Sequence, residues 1–276
     1  MKEVYLQTAS FQMSGSRLSF LEQLKAAAKL GYTGVELAGQ DYMNLDVKEL
    51  KKYVDDLGLK VLGAHVTLDN ATTILPALKT LGAEYMVIGS VNPLDCEEDI
   101  IAHAEALNHL GVHVHNEGIK FGYHDHNMEF YAPKGKMLLQ VMIDNTDPNL
   151  VMFEYDVGWA AASGIDCLAF LEKNVSRIEL IHANETDSVI GPRMLGRSPM
   201  VIPRDENGQP IYTPEEAEFH KKRKTCDCPM GKGIPQWTQI REAAKNVQHY
   251  IVERRYSYLP DPCDCFAEDL AFMKDL

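Results

Sequence analysis

Two kinds of segment alternate along the 276-residue chain, and this alternation constrains its fold more than any other feature. Short runs rich in apolar and β-branched residues are each followed by a longer segment whose apolar residues recur at helical spacing. Such alternation is typical of repeated βα units, in which successive strands lie parallel in one sheet. We predict strands at Val4–Gln7, Gly34–Leu37, Lys60–His65, Tyr85–Gly89, Lys120–His124, Leu150–Asp156, Arg177–His182 and His249–Glu253.

The segments around these strands predict eight amphipathic helices, which makes the chain an α/β protein of the (β/α)8 type. An open, doubly wound sheet is the alternative fold. Against it, the Gly-x-Gly-x-x-Gly sequence typical of dinucleotide-binding sheets does not follow the first strand. We therefore expect a TIM barrel in which residues 1–276 form a single domain. The predicted helices are Leu18–Leu30, Val47–Leu57, Ala71–Leu81, Glu97–Leu110, Lys136–Ile143, Asp166–Lys173, Trp237–Lys245 and Ala267–Leu276.

A long polar segment, residues 184–232, interrupts this rhythm after the seventh strand and contains six prolines between Pro192 and Pro229. A connection of that length inside a compact domain usually has a function of its own. We expect it to be a lid-like or partner-binding insertion rather than a separate domain.

Two Cys-x-Cys pairs are expected on the same face of the barrel, one inside the insertion and one after the eighth strand. Four thiolates in one place would suit a structural zinc ion. The usual zinc spacing is Cys-x-x-Cys, so unpaired thiols are the favoured interpretation. The four residues are Cys226, Cys228, Cys263 and Cys265.

The net charge of −13 at pH 7 disfavours nucleic acid as a partner, because proteins bind phosphate backbones largely through Lys and Arg. No run of 18 apolar residues is present, and the N-terminus has no apolar signal core. We expect a soluble, cytoplasmic protein with reduced thiols and no membrane partner.

Carboxylates and imidazoles collect where the last four predicted strands end. The carboxyl ends of barrel strands line the active site in this architecture. Charged groups after apolar strands are costly there without a cation or another partner. Carboxylate and imidazole ligands suit a divalent ion, so we expect one, with Mn²⁺ preferred over Mg²⁺, Co²⁺ or Zn²⁺. The four stretches are Tyr123–Phe130, Phe153–Trp159, Leu180–His182 and Ile251–Arg255.

These stretches resemble the xylose-isomerase-like barrels, a family that includes ketose epimerases, inosose dehydratases and sugar-phosphate isomerase/epimerases. The resemblance covers nearly the whole chain. Its most specific parts are Tyr-His-Asp-His at 123–126 with Glu129 and Phe130, the run from Asp156 to Asp166, Arg177–His182, and Gly233–Trp237 leading to Glu253.

The resemblance implies that one divalent ion is held by carboxylates and a histidine from the last strands. Many relatives place the first carboxylate directly at the end of the fifth strand, where this chain has His124. Either Glu129 reaches back to the ion, or His124 binds it instead. The implied ligands are Glu129, Asp156, His182 and Glu253.

The resemblance also implies a sugar isomerase or epimerase that works through a metal-stabilised enediolate. A base must lie near the proton that is removed, and Glu129, Glu253, His124 and His126 are the candidates. The alternative is a carbon–oxygen lyase, such as a dehydratase of an inosose or of a keto-sugar or keto-glycoside. A repair endonuclease or a non-catalytic barrel subunit is less favoured, because the chain is acidic and its ligands are intact.

Other residues at the same end of the barrel are candidates for binding the sugar. Glu36 and His65, which close the second and third strands, would bind sugar hydroxyls. Trp159 would form an apolar wall against the ring. Arg255, with Arg254 beside it, would hold a phosphate or carboxylate. By analogy with similar barrels, we expect a homo-oligomer or a partner subunit over the barrel mouth.

Overall fold

The computed structural model describes residues 3–38, 41–89, 97–192 and 211–276, and it shows a closed barrel of eight parallel strands. Each strand pairs with the next along the chain, and the last pairs with the first. The predicted (β/α)8 fold is confirmed, and every predicted strand is present to within two residues at each end. The strands are β1 (Glu3–Gln7), β2 (Gly34–Leu37), β3 (Lys60–Val66), β4 (Tyr85–Ile88), β5 (Lys120–His124), β6 (Met152–Asp156), β7 (Ile178–Ala183) and β8 (His249–Val252).

The described helices surround the barrel and include all eight that were predicted. The fifth continues past Leu110 to Asn116, and Gly111 within it packs closely on Leu150. The last begins at Pro262, where the Asp261 carboxylate accepts a hydrogen bond from the Cys263 N–H. The helices are α1 (Ala9–Met13), α2 (Phe20–Leu30), α3 (Val47–Asp56), α4 (Ala71–Leu81), α5 (Glu97–Asn116), α6 (Leu138–Asn145), α7 (Val157–Ala162), α8 (Cys167–Asn174), α9 (Pro214–Thr225), α10 (Trp237–Ala243) and α11 (Pro262–Asp275), with short 3₁₀ turns at Asp41–Asn44, Pro133–Gly135 and Val175–Arg177.

The interior of the barrel is apolar in its middle and polar at its carboxyl end. Seven buried side chains, all from strands, form a cluster separate from the larger core between sheet and helices: Tyr5, Leu62, Tyr85, Val87, Met152, Leu180 and Ile251. Strand side chains alternate between the two faces, so residues two positions further along point to the same interior. After Met152, Leu180 and Ile251 these residues are Glu154, His182 and Glu253.

The described parts of the insertion, residues 184–192 and 211–232, pack at the carboxyl end of the barrel. The ring of Phe219 in α9 stacks on Trp159 with centroids 6.3 Å apart, and Arg223 lies 4.9 Å from the same ring. Residues 193–210 lie outside the described part of the chain. No helix among the described residues is long and apolar enough to span a membrane.

Candidate metal centre

Four side chains from consecutive strand ends meet at the carboxyl end of the barrel. His124, Asp156, His182 and Glu253 each offer a ligand atom, and these four atoms all lie within 4.8 Å of one another. All four residues are buried. We call this set the outer cluster.

The register of the sheet brings these side chains together. Asp156 on β6 lies directly opposite His182 on β7. Glu253 follows β8, and its backbone N–H donates to the Ala183 carbonyl at 3.1 Å, which extends the pairing by one residue. Interior-facing positions at matching heights on adjacent strands therefore carry the outer cluster.

The two carboxylates of the outer cluster are held differently. Asp156 accepts hydrogen bonds from the Trp159 N–H at 2.7 Å and the Asn184 amide at 3.3 Å. Burial and the nearby Glu253 charge nevertheless raise the pKa of Asp156 to about 6. Burial also opposes ionisation of Glu253, but Arg255 at 3.0 Å and His182 at 2.8 Å outweigh it and lower its pKa.

Glu36, His65 and Glu154 lie next to the outer cluster. The His65 Nε2 is 2.6 Å from Glu154 Oε2 and 3.1 Å from Glu36 Oε2. Burial alone would lower the pKa of His65, but these two carboxylates raise it to about 10. Sequence reasoning missed Glu154, although its position two residues before Asp156 on one strand places both on the same face.

Several buried polar atoms here have no hydrogen-bond partner among the described residues. They include His124 Nδ1 and the Oε1 atoms of Glu36 and Glu154, in residues at most 1% exposed. Buried polar atoms are rarely left unpaired, and a bound ion would satisfy these. Imidazole nitrogens with carboxylate oxygens are ligands for divalent ions such as Mn²⁺ and Zn²⁺. The residues present therefore fit a bound divalent cation.

Glu129 lies apart from the outer cluster. One of its oxygens accepts a hydrogen bond from the Tyr123 hydroxyl, and the other accepts one from the His126 N–H at 2.9 Å. Burial raises its pKa. The structure thus groups His124, and not Glu129, with Asp156. Glu129 as a ligand or base stays a prediction.

Two imidazoles flank His124 and differ in charge. The His65 ring lies 4.6 Å and the His126 ring 4.7 Å from the His124 ring. Burial and the Arg255 charge lower the pKa of His126 to about 3, so His126 is neutral where His65 is protonated. Both are partly exposed, whereas His124 is 1% exposed. Neighbouring groups with such separated pKa values suit the roles of proton acceptor and donor.

The arginines after β8 have different surroundings. Arg254 is buried and makes two hydrogen bonds of 2.7 Å to Asp269, which ties β8 to α11. Arg255 is partly exposed and lies 4.4 Å from the Trp159 ring. Arg255 therefore remains the candidate for binding an anionic group.

The remaining predicted sugar-binding residues are enclosed by protein. Trp159 is 4% exposed, with Phe219, Arg223 and Arg255 around its ring. Glu36 is fully buried, and its Oε2 accepts a hydrogen bond from the Gln7 amide at 2.6 Å and lies 2.9 Å from His182 Nε2. Their contacts with a sugar stay predictions, and the geometry of Glu36 instead suits the orientation of His182.

The two Cys-x-Cys pairs do not form a ligand set in the described part of the chain. The groups of three or more candidate ligands found there contain no cysteine. Cys226 contacts Arg223, and the Cys265 sulfur lies 3.2 Å from the Ser257 hydroxyl. Unpaired thiols agree with this arrangement better than a zinc site.

Comparison with known proteins gives a consistent set of relatives. The chain matches the sequence model of the family described as xylose isomerase-like TIM barrel over residues 24–276. An inosose dehydratase from Bacillus cereus is 31% identical over 197 residues, which are 62% of this chain and 65% of the relative. The matched region thus spans less than two thirds of that relative's length.

Solved structures match over almost the entire chain. A sugar phosphate isomerase/epimerase from Parabacteroides distasonis is 23% identical, with a TM-score of 0.72 over 99% of this chain and 93% of that one. The IolI protein, solved with a bound zinc atom, is 15% identical, with a TM-score of 0.72 over 100% and 97% of the two chains. At these identities, the similarity establishes the fold.

Proposed function

This chain belongs to the xylose isomerase-like TIM barrel family, and from that premise we propose a divalent-metal-dependent isomerase or epimerase of a sugar or sugar-derived ketone. The observation that carries the proposal is the outer cluster of His124, Asp156, His182 and Glu253. A divalent ion held there would stabilise negative charge that develops on adjacent substrate oxygens. The zinc atom in the IolI structure supports the choice of a metal-dependent enzyme.

His126 and His65 carry out the proton transfers. The His126 ring is neutral and partly exposed, so it accepts the proton from the carbon next to the carbonyl. Its Nδ1 is buried, which leaves Nε2 as the accepting nitrogen. His65 is held as an imidazolium by Glu36 and Glu154, so its ring donates to a substrate oxygen. Delivery of a proton to the opposite face of the same carbon gives epimerisation, and delivery to the neighbouring carbon gives isomerisation.

Substrate approaches from the side where side chains are still accessible. His65 and Arg255 retain 15% and 20% of their side-chain exposure, whereas Glu154 and His182 are fully buried. Arg255 would hold a phosphate or carboxylate of the substrate, while its contact with Glu253 keeps the Glu253 carboxylate ionised. We propose an anionic sugar derivative as the best substrate.

A dehydratase is the second candidate, favoured by the inosose dehydratase relative. Elimination needs a base for the carbon-bound proton and a separate acid for the departing hydroxyl. The neutral His126 and the protonated His65 form such a pair, and each ring lies next to His124. The first step, removal of the proton, is the same in both candidates.

Incubation in D₂O with Mn²⁺ separates these reactions. The test uses ketoses, phosphorylated ketoses, inososes and 3-keto-glycosides, followed by NMR and absorbance. The proposal predicts deuterium at the carbon next to the carbonyl in a new stereoisomer or aldose. An absorbing enone identifies the dehydratase instead.

Two variants complete the test. Asp156→Asn removes an outer-cluster carboxylate and is expected to abolish exchange. His113→Gln alters an exposed histidine on α5 and should leave exchange unchanged. Exchange of equal rate in wild type and Asp156→Asn would overturn the proposed site.

A further inference from the structure

We propose that Arg223 of α9 is a positioning residue for the metal site and that it acts on Asp156 through Asn184. The Arg223 guanidinium donates a hydrogen bond to Asn184 Oδ1 at 2.9 Å, and Asn184 Nδ2 donates to Asp156 Oδ2 at 3.3 Å. This role of Arg223 rests on the proposed function only in taking the outer cluster to bind a divalent cation. It makes the insertion, through α9, a part of that site.

Arg223 is a buried charge on a helix whose buried residues are charged rather than apolar. Its exposed fraction is 1%, and the only other buried residue within Pro214–Thr225 is Glu216. Burial of a charge is unfavourable unless the charge is paired and hydrogen-bonded, and a buried ion pair adds little to stability on average. An arginine at this position is therefore better explained by the groups that it orients than by the stability of α9.

The chemistry of arginine fixes the direction in which the Asn184 amide points. A guanidinium has N–H donors and no acceptor, so it bonds the Asn184 oxygen and leaves the amide NH₂ group for Asp156. Asn184 has no exposed area, so its amide depends on partners inside the protein. Without Arg223 the amide can rotate by half a turn, which would place its oxygen against the Asp156 carboxylate.

The two oxygens of Asp156 are held by different donors. The Trp159 N–H holds Oδ1 at 2.7 Å, and the Asn184 amide holds Oδ2. A carboxylate offers about four lone-pair positions, so each oxygen retains one for a cation. Hydrogen bonds to a ligating carboxylate orient it and tune the affinity of the metal site. Because the Trp159 bond comes from the main chain, Asn184 is the side-chain partner through which α9 acts on Asp156.

Other contacts hold the Arg223 guanidinium in place. Its Cζ lies 4.9 Å from the centroid of the Trp159 ring, and its Nη1 is 3.7 Å from Asp227 Oδ1. Asp227 Oδ2 accepts a hydrogen bond from the Tyr256 N–H at 2.9 Å, which anchors this carboxylate to the chain after β8. Arg223 thus has a charge partner and a ring contact besides its hydrogen bond to Asn184.

Calorimetric Mn²⁺ titration of the full chain tests the role of Arg223. Arg223→Met removes the donors and is expected to weaken Mn²⁺ binding by about 10- to 100-fold, the usual effect of losing a residue that orients a metal ligand. The matched control is Arg177→Met, because Arg177 also makes several side-chain hydrogen bonds but lies before β7, at the other end of the strand from His182. The control should lose stability and keep wild-type Mn²⁺ affinity.

A double-mutant cycle shows whether Arg223 acts through Asn184. Asn184→Ala should weaken Mn²⁺ binding to a similar extent, and Arg223→Met added to it should cause no further loss. The electron paramagnetic resonance spectrum of bound Mn²⁺ reports the arrangement of its ligands. Both single variants should change this spectrum, whereas a loss of stability alone would leave it unchanged.

The outcomes separate the role of Arg223 from the proposed function. A wild-type protein that binds no Mn²⁺ would overturn both. Wild-type affinity and an unchanged spectrum in Arg223→Met, or losses that add in the double variant, would overturn only the role of Arg223. If circular dichroism shows that Arg223→Met does not fold, Arg223→Gln replaces it, because its shorter side chain removes the same bond and should cause the same loss.

Discussion

At the scale of single residues, burial and neighbouring charges separate the pKa values of two histidines that lie next to His124. His65 faces the carboxylates of Glu36 and Glu154, so its pKa is raised to about 10. Desolvation of the partly exposed His126 ring and the guanidinium charge of Arg255 lower its pKa to about 3. We therefore propose that His65 donates a proton and that His126 accepts one.

Replacement of His126 by alanine tests its role as the base. We expect kcat to fall by about 10²- to 10⁴-fold, the usual contribution of a positioned acid or base, while Mn²⁺ affinity changes little. Steady-state kinetics and calorimetric Mn²⁺ titration measure the two quantities. His113→Ala on α5 is the matched control. A parallel loss of Mn²⁺ affinity would instead make His126 a metal ligand.

Replacement of Glu36 by glutamine tests whether Glu36 orients His182. The Glu36 carboxylate is 2.9 Å from His182 Nε2, and loss of such a partner typically costs about 10- to 100-fold in metal affinity. Calorimetric Mn²⁺ titration is the measurement, with Glu185→Gln as the control. Unchanged Mn²⁺ affinity combined with a raised KM would support direct sugar binding by Glu36.

The sequence identified the residues that end strands but not the one inside a strand. His124, Asp156, His182 and Glu253 were all candidates, because each ends or follows an apolar strand. Glu154 was missed, since it stands between Phe153 and Tyr155 within the strand and only the pairing of strands reveals its neighbours. The position of Glu129 apart from the outer cluster likewise depends on the loop geometry, which the sequence does not give.

At the scale of secondary-structure elements, the turn between β6 and α7 positions the outer cluster. Asp156 both ends β6 and caps α7 by accepting a hydrogen bond from the Trp159 N–H. Gly158 lies so close to β7 that an added Cβ would be 2.6 Å from the Asn184 carbonyl oxygen. This close approach explains glycine at position 158.

Gly158→Ala is expected to push α7 away from β7. The clash should cost about 1–3 kcal/mol in the free energy of unfolding, as overpacking usually does, and weaken Mn²⁺ binding by displacing Asp156. Denaturant unfolding and Mn²⁺ titration measure both effects. Gly118→Ala lies at a positive φ in open space, so it should lose stability without losing metal affinity. Equal Mn²⁺ affinity for both variants would contradict this account of the turn.

Hydrophobic periodicity predicted the barrel elements because each must bury one face. It could not reveal α9, whose residues are mostly charged and carry little periodic apolar pattern. The available signal was the capping box of Thr213 and Glu216, with Pro214 at the first position. α1 and α7 are single short helices directly after strands, too brief for a periodic pattern.

At the scale of the whole molecule, the insertion is tied to the barrel at several points. Arg223 of α9 donates to the Asn184 side chain at 2.9 Å, and Asn184 in turn donates to Asp156. Glu185 accepts hydrogen bonds from Gly231 at 2.6 Å and Trp237 at 2.8 Å, where the insertion returns to the barrel. The packing of α9 is thus linked to the outer cluster.

A single domain, an oligomer and a cytoplasmic location stay predictions.

Glu185 should make stability depend on pH. Burial raises its pKa from 4.5 to about 7, so the folded state binds its proton more tightly than the unfolded state. Its stabilising contribution is present below about pH 4.5 and is lost as the pH rises through about 7, by at most about 3 kcal/mol. Urea unfolding of wild type and Glu185→Gln should be measured between pH 5 and 8. As the pH rises, the free energy of unfolding of wild type should fall relative to that of Glu185→Gln. If the free energies of unfolding of the two proteins change with pH in parallel, Glu185 is not the source of this pH dependence.

The location of a bound metal ion tests the central claim most directly. Crystals grown with Mn²⁺ and measured at its absorption edge would show the ion by anomalous scattering. We expect a peak bounded by His124, Asp156, His182 and Glu253, with Glu129 still hydrogen-bonded to Tyr123. Strong peaks only elsewhere, or an ion held by Glu129 with His124 turned away, would contradict it.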